Sequence, residues 1–389
     1  YPSYGLSMVS VGDATEFHDV QVSHAGNDAF EFYGGTVEAK RLIALDAKAS
    51  DMVFKFGNRS KLQYAINMRL DVSQHVSTGD KSNSIVVANN DNAPNYTGSP
   101  ATHPALSNVS ILGPIYCGAS GISSDFLNGV LMHKNTEGTF ANSVIAGWDD
   151  NGLYIDGSNT IANATTNGTL FFYENAFYNN ATNYNSTTWS AACATTMADW
   201  INGSGFCSQT GNQVPVSTLG YSASICTYTS STPSFLLGTT TLADADFPSG
   251  SDLDDLFFTS TTQKRGALNA STDWTTSWSN WNPQAEDYCP QLRMSPTNVN
   301  NLINAQSKIS IAPNPSDELT YITFDAKWKG NVIITLTNSL GQVVHTIQQD
   351  TQNGIQKIAV CTGDLSAGVY LINVDLGKGD MVRSRLVVK

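Results

Sequence analysis

Short β-branched runs recur along residues 1–175 at a spacing that few folds tolerate. One set reads Asp19-Val20-Gln21-Val22, Arg41-Leu42-Ile43-Ala44, Gln63-Tyr64-Ala65-Ile66, Asn108-Val109-Ser110-Ile111 and Asn142-Ser143-Val144-Ile145. A second set follows it: Ala29–Phe32, Met52–Phe54, Ile85–Val87, Val130–Met132 and Gly152–Ile155. Where nothing interrupts, like follows like after 22 to 24 residues, as from Val20 to Leu42 to Ala65. A period of this length with two or three short strands per repeat means a parallel β-helix, because no coil can bury its inward face alone and each completes its neighbour. Leucine-rich repeats share the period but need a Leu-x-x-Leu-x-Leu pattern that is missing here, and a jelly roll would be less regular. Insertions such as Asn89–Pro104 leave at the corners. The expectation is an all-β protein: a right-handed parallel β-helix over 1–175, then loops and short helices over 176–289 that cap its end.

The last residues behave differently. Seven short runs, from Ile309–Ala312 to Met381–Val388, are separated by turn signals such as Asn353-Gly354, the pattern of a small Ig-like β-sandwich over 308–389. Gly341 and Gly368 stand where tight turns call for positive φ. Between the two parts, 290–307 holds Pro290, Pro296 and several Asn without periodicity, and reads as an exposed linker.

The terminal segment carries Ile309-Ser310-Ile311-Ala312-Pro313-Asn314-Pro315, then Thr335–Val344 around Gly341, then Leu365–Val374 with Gly368 and Tyr370, and ends Arg385-Leu386-Val387-Val388-Lys389. In order and spacing this resembles the type A C-terminal sorting domain of the type IX secretion system of Bacteroidetes. The resemblance implies an exported protein, secreted or held at the cell surface. It implies recognition through Pro313, Asn314, Pro315, Gly341, Gly368, Tyr370, Arg385 and Lys389 by outer-membrane β-barrel components of that system, a translocon and a shuttle. It also implies a sortase-like peptidase that cuts in the linker. A second likeness runs from Gly5 to about Tyr288 through Asn27–Val37, Leu112-Gly113-Pro114, Ser143–Trp148 and Trp278–Gln284. It is similar to a group of secreted β-helix proteins whose members carry further coils before the glycine block, so the chain is expected to lack its first coils and Tyr1 to be internal; no signal peptide is visible. Those relatives carry a run of Asp where this chain has Ser50-Asp51-Met52-Val53, so any cation site there is expected to be lost.

Chemistry is sparse. Charged residues make up 14% of the chain and the net charge is −13, which repels phosphate backbones and argues against nucleic acid. The six histidines are scattered, and no CxxC pair suggests zinc. Asp28 and Glu31 read as a corner acid and a solvent-facing acid rather than a glycosidase pair. Asp149, Asp150 and Asp156 leave Ca²⁺ open, but no calcium-loop pattern accompanies them; Asp252, Asp254 and Asp255 read as the first turn of a short helix. Trp274, Trp278 and Trp281 are either a lid on the open end of the β-helix or a surface for glycans. Of the cysteines, Cys193 and Cys207 flank the helix-like stretch Ser190–Ile201 and are the first candidates for a disulfide, with free thiols the alternative; Cys361 has no obvious partner. The expected role is a structural or adhesive passenger without catalytic residues, cofactor or metal, the alternative being a polysaccharide-active enzyme or a glycan-binding module.

Overall fold

A computed structural model describes residues 4–73, 83–89, 93–203, 205–238, 244–261, 264–268, 273–286, 309–326, 329–377 and 380–389. The expected linker 290–307 lies outside them. The chain divides into two compact units, Tyr1–Gln284 and Ala285–Lys389.

The first unit is a parallel β-helix. Seven strands stack in parallel as one sheet: β1 (Leu6–Val9), β3 (Phe30–Tyr33), β5 (Met52–Lys55), β7 (Ile85–Ala88), β9 (Asn128–His133), β12 (Asn151–Ile155) and β15 (Thr182–Ser186). The second sheet stacks β2 (Glu16–Ser23), β4 (Glu38–Leu45), β6 (Lys61–Met68) and β8 (Ala105–Leu112), followed by the split pairs β10 (Gly138–Ala141) with β11 (Val144–Ala146) and β13 (Leu170–Tyr173) with β14 (Ala176–Tyr178). The long strands bend at one residue each. Asp19, Arg41, Tyr64, Asn108, Asn142 and Glu174 stand in the same register and all have positive φ, between 54° and 64°. Asn and Asp tolerate this left-handed region, while Arg41 and Tyr64 occupy it at a cost of about 1 kcal/mol each, held there by ladder bonds on both sides. Each coil therefore has three straight sides. Identical register brings like residues together inside, so Phe32 stacks on Phe54 at 4.7 Å and Phe140 on Phe172 at 5.2 Å.

Two helices complete this unit: α1 (Ser158–Thr165), which the strand spacing did not reveal, and α2 (Met197–Ile201), shorter than the expected Ser190–Ile201. Trp200, fully buried, carries α2 onto the last coil and donates from its indole nitrogen to Ala164 O at 2.8 Å. Cys193 and Cys207 are disulfide-bonded beside it, Cys117 is bonded to Cys226, and Cys361 is also in a disulfide.

The end of the β-helix is thus closed by Trp189 and Trp200, not by the later tryptophans. The described residues between 219 and 284 instead form a strap along the flank of the second sheet. The strap bonds to the outward polar residue of coil after coil. Asn280 exchanges bonds with Gln21, Thr259 with Gln63, and Asp246 with Asn142, while Lys264 O accepts from Asn108. Beneath it, Ile43, Leu45, Ile66, Met68, Leu112 and Val144 point outward and are buried against Phe235, Leu237 and Trp281 of the strap. Trp281 is 6% exposed, and the half-buried Trp274 and Trp278 donate their indole N–H to Ala267 O and Trp274 O. Trp281 is core, and Trp274 and Trp278 pack half-buried beside it along the flank, so none of the three lids the open end of the β-helix.

Asp252 and Asp255 begin no helix. They fasten the strap: Asp255 to Lys61 at 2.6 Å, and Asp252 to Thr139 at 2.5 Å and to His103 at 2.8 Å. His103 also faces Glu137 at 3.1 Å. Burial disfavours its charged ring, but bonds and charge from Asp252 and Glu137 outweigh this and raise its pKa, while burial of Asp252 is outweighed by bonds from His103 and Thr139 that lower its own. A raised imidazole stabilises fully below its unfolded value near 6.5 and loses that contribution as pH rises through the folded value; a lowered carboxyl contributes above about 3.9 and fails only below it. Protection factors of strap amides around Asp252 should therefore be highest between these limits and fall as pH rises through the raised value of His103. A His103→Gln variant whose protection factors fell in the same way would rule this clamp out.

The second unit has two antiparallel sheets, β16 (Ser310–Ala312), β17 (Leu319–Ala326) and β20 (Gly354–Cys361) in one, and β19 (Val343–Thr351), β18 (Gly330–Thr337), β21 (Gly368–Gly377) and β22 (Asp380–Val388) in the other. Strict alternation along β18, β21 and β22 sends Ile334, Leu336, Ile372, Val374 and Leu386 into a core shared with Ile322, Phe324 and Val360.

Candidate functional site

A cleft of about 230 Å³ opens on the outward face of the first sheet. Four consecutive coils line it: Asp28 from the second, Ser50, Val53 and Lys55 from the third, Asn83 and Val86 from the fourth, and Leu127, Leu131, His133 and Lys134 from the fifth. Alternation puts them there, since Met52, Phe54, Ile85 and Val130 between them point into the core. Four coils span about 14 Å at the usual strand separation, so the cleft runs along the β-helix axis. Its floor is held by a ladder of side chains at one repeating position: Ser50 N donates to Asp28 Oδ1 at 2.6 Å, Asn128 Nδ2 to Asn83 Oδ1 at 2.8 Å, and Asn151 Nδ2 to Asn128 Oδ1 at 2.8 Å.

Among the described residues, Asp28 is the one acid that lines the cleft. Burial raises its pKa, partly offset by the bond from Ser50, with the Glu31 charge adding to the rise. Glu31 is buried beside it, accepting from the Ser7 hydroxyl and, at 2.7 Å, from Tyr33 OH, whose own pKa is raised by burial and by that carboxylate. The sequence placed Glu31 in solvent; the structure seals it under Ser7 and Tyr33.

One residue was not singled out from the sequence. Phe56 follows Lys55, is 46% exposed and packs edge-on against Tyr33 at 5.2 Å. It has φ 57° and Gly57 follows at 76°, at the corner where the preceding coil has Gly34 and Gly35 with φ 63° and 76°. A bulky residue standing where its neighbour coil has glycine was the available signal. Such a φ is a true outlier for an aromatic and marks stored strain.

Asp51 stands apart from the cleft. It is fully buried against Arg69, whose Nε approaches both carboxylate oxygens at 3.1 and 3.2 Å. Among the described residues no three His, Cys, Asp or Glu side chains are placed to hold a metal ion.

In the second unit the expected recognition residues converge in part. Asn314 ties the start of the unit to its last strand, donating to Arg385 O at 2.7 Å and accepting from Val387 N at 2.9 Å. Pro313 O accepts from Thr320, and Lys389 N donates to Ser316 O at 2.9 Å. Tyr370 is buried and bonds Ser366 O. Gly341 has φ 81° in its turn; Gly368 does not adopt positive φ and opens β21 as ordinary strand, which corrects that expectation. Pro315 follows Asn314 in the same turn, and Arg385 is exposed.

Comparison with known families matches residues 3–222 to a pectate-lyase-like β-helix domain, more than half of the chain. The chain belongs to that family. In this pectate-lyase-like β-helix the cleft lies wholly within the matched span. Residues 310–389 match a secretion system C-terminal sorting domain. The protein is therefore a type IX secretion cargo, exported to the cell surface or the extracellular space, and it interacts with that secretion machinery. Comparison with curated proteins finds no match.

Proposed function

We propose that the β-helix is an adhesive passenger which holds a linear glycan along the first-sheet cleft. On this reading the protein is displayed by a bacterium of the Bacteroidetes after its β-sandwich sorting domain has engaged the translocon and shuttle, with a sortase-like peptidase acting between the units. The observation that carries the glycan reading is the lining itself: amide, hydroxyl and charged groups from four successive coils along one axis, interleaved with Val53, Val86, Leu127 and Leu131, while Phe56, the residue after the lining Lys55, is exposed and packs on Tyr33. A linear polymer lying along the coils would meet a repeated set of polar partners, and an exposed aromatic ring offers its face to the apolar side of a sugar. Asp28 and Glu31 are both engaged by neighbours, which favours binding over hydrolysis.

Phe56→Gly is the decisive variant. Glycine relieves the positive φ while losing the ring packing, so stability should stay within about 1 kcal/mol of wild type. Retention on the glycans selected by an array of the intact protein should fall at least tenfold, as expected from loss of about 1.4 kcal/mol of contact. Unchanged retention would remove the ring from the site. The raised pKa of Asp28 is what supports the second reading, a polysaccharide-active enzyme; turnover of any polysaccharide that disappears in Asp28→Ala or Glu31→Ala would establish it over the adhesive one.

A further inference from the structure

Exposed apolar surface is not spread evenly over this molecule. Among the described residues, seven of the twelve large hydrophobic side chains that stand in solvent belong to the second unit. Four of them share one face. Ile333, Val369 and Leu371, at 38, 52 and 45% exposure, alternate with core residues along β18 and β21 and so point away from the core, and Val343, 43% exposed, opens β19 opposite the outward Thr337. Register brings three of them together, since Thr337 lies opposite both Val343 and Leu371, and Leu371 lies opposite Arg385; Ile333 stands two outward positions along β18 from Thr337, opposite Asp375. Arg383 and Arg385, both exposed on β22, edge the patch, and no described carboxylate pairs with either. Contiguous apolar surface rimmed by polar groups marks an interaction site.

Charge is segregated too. Residues 310–389 hold seven Lys or Arg and seven Asp or Glu, so the whole net charge of −13 resides in the preceding residues. An acidic passenger is thus joined to a neutral unit that carries two exposed arginines on the outward face of its four-stranded sheet. β22 is paired along its length with β21, and Ser316 and Asn314 bond its last residues, so the face is held in one sheet to its edge.

We propose that this outward face of the four-stranded sheet, centred on Val369 and Leu371 and edged by Arg383 and Arg385, is the surface on which the export machinery docks. Its partner there is a protein surface with an apolar patch rimmed by carboxylates. The proposal rests on the reading of residues 310–389 as an export signal and names the face that reading leaves open.

The test uses the full chain in a bacterium that has the type IX system, with the exported fraction as readout. One variant pair, Val369→Thr with Leu371→Thr, removes apolar area while keeping strand propensity; the other, Arg383→Glu with Arg385→Glu, reverses the rim. Ile355→Thr, at a residue 78% exposed on the other sheet, is the control. Each pair should lower export at least tenfold, the retained protein keeping the thermal unfolding of wild type, while the control exports normally. Should the threonine pair unfold, Arg383→Gln with Arg385→Gln carries the test alone. Normal export of folded face variants overturns the proposal. Deletion of 310–389 separates the two levels: if that deletion abolishes export while the face variants do not, only the face is wrong, and if the deletion exports normally the export signal itself is refuted.

Discussion

Asp51→Asn should lower the stability of the β-helix by about 3–5 kcal/mol, read from urea unfolding of the first unit. The reason is an asymmetry in the buried pair. Arg69 is 1% exposed, its Nη atoms have no hydrogen-bond partner among the described residues, and guanidinium cannot shed its charge, so removing Asp51 strands a cation in the interior. Arg69→Met should cost less, because a carboxyl can take up a proton. Equal urea midpoints for wild type and Asp51→Asn at pH 7.5 would show that the pair contributes nothing.

Trp281→Ala should cost about 3–5 kcal/mol, the range for removing a buried large aromatic, and should release the strap. Trp281 packs at 5.4 Å on Phe235 over the outward residues of the second sheet. Glycan retention by the protein that remains folded should be unchanged, since the cleft is on the other sheet. Phe56→Gly is expected to do the opposite, and this crossed pattern separates core from site. Lost glycan retention in folded Trp281→Ala, with stability intact, would return the tryptophans to the surface role first considered for them.

The coil repeat was legible because stacking imposes it. Val20, Leu42 and Ala65 must recur at nearly constant spacing or the ladder and core fail together. The apolar runs Leu42–Leu45 and Ala65–Ile66 even carried the sign of a second covered face, since a strand with one solvated face alternates. What covered that face was not legible. The strap meets it through Gln21–Asn280 and Asn142–Asp246, pairs 259 and 104 residues apart whose residue types are ordinary surface amides and acids.

The candidate site divides the same way. Asp28 and Glu31 drew attention as residues, but whether they met solvent depended on Ser7 and Tyr33, and Phe56 was visible only as an aromatic before a glycine. Secretion was decided by the sequence itself: the sorting domain is a local, contiguous signal, and so was the β-helix, whose period repeats in every coil. The cleft, the buried Asp51–Arg69 pair and the strapped tryptophans were decided by tertiary structure alone. Each is made by residues that become neighbours only once coils have stacked, and burial, which sets both their charge state and their access to a ligand, is a property of that stacking and not of any segment.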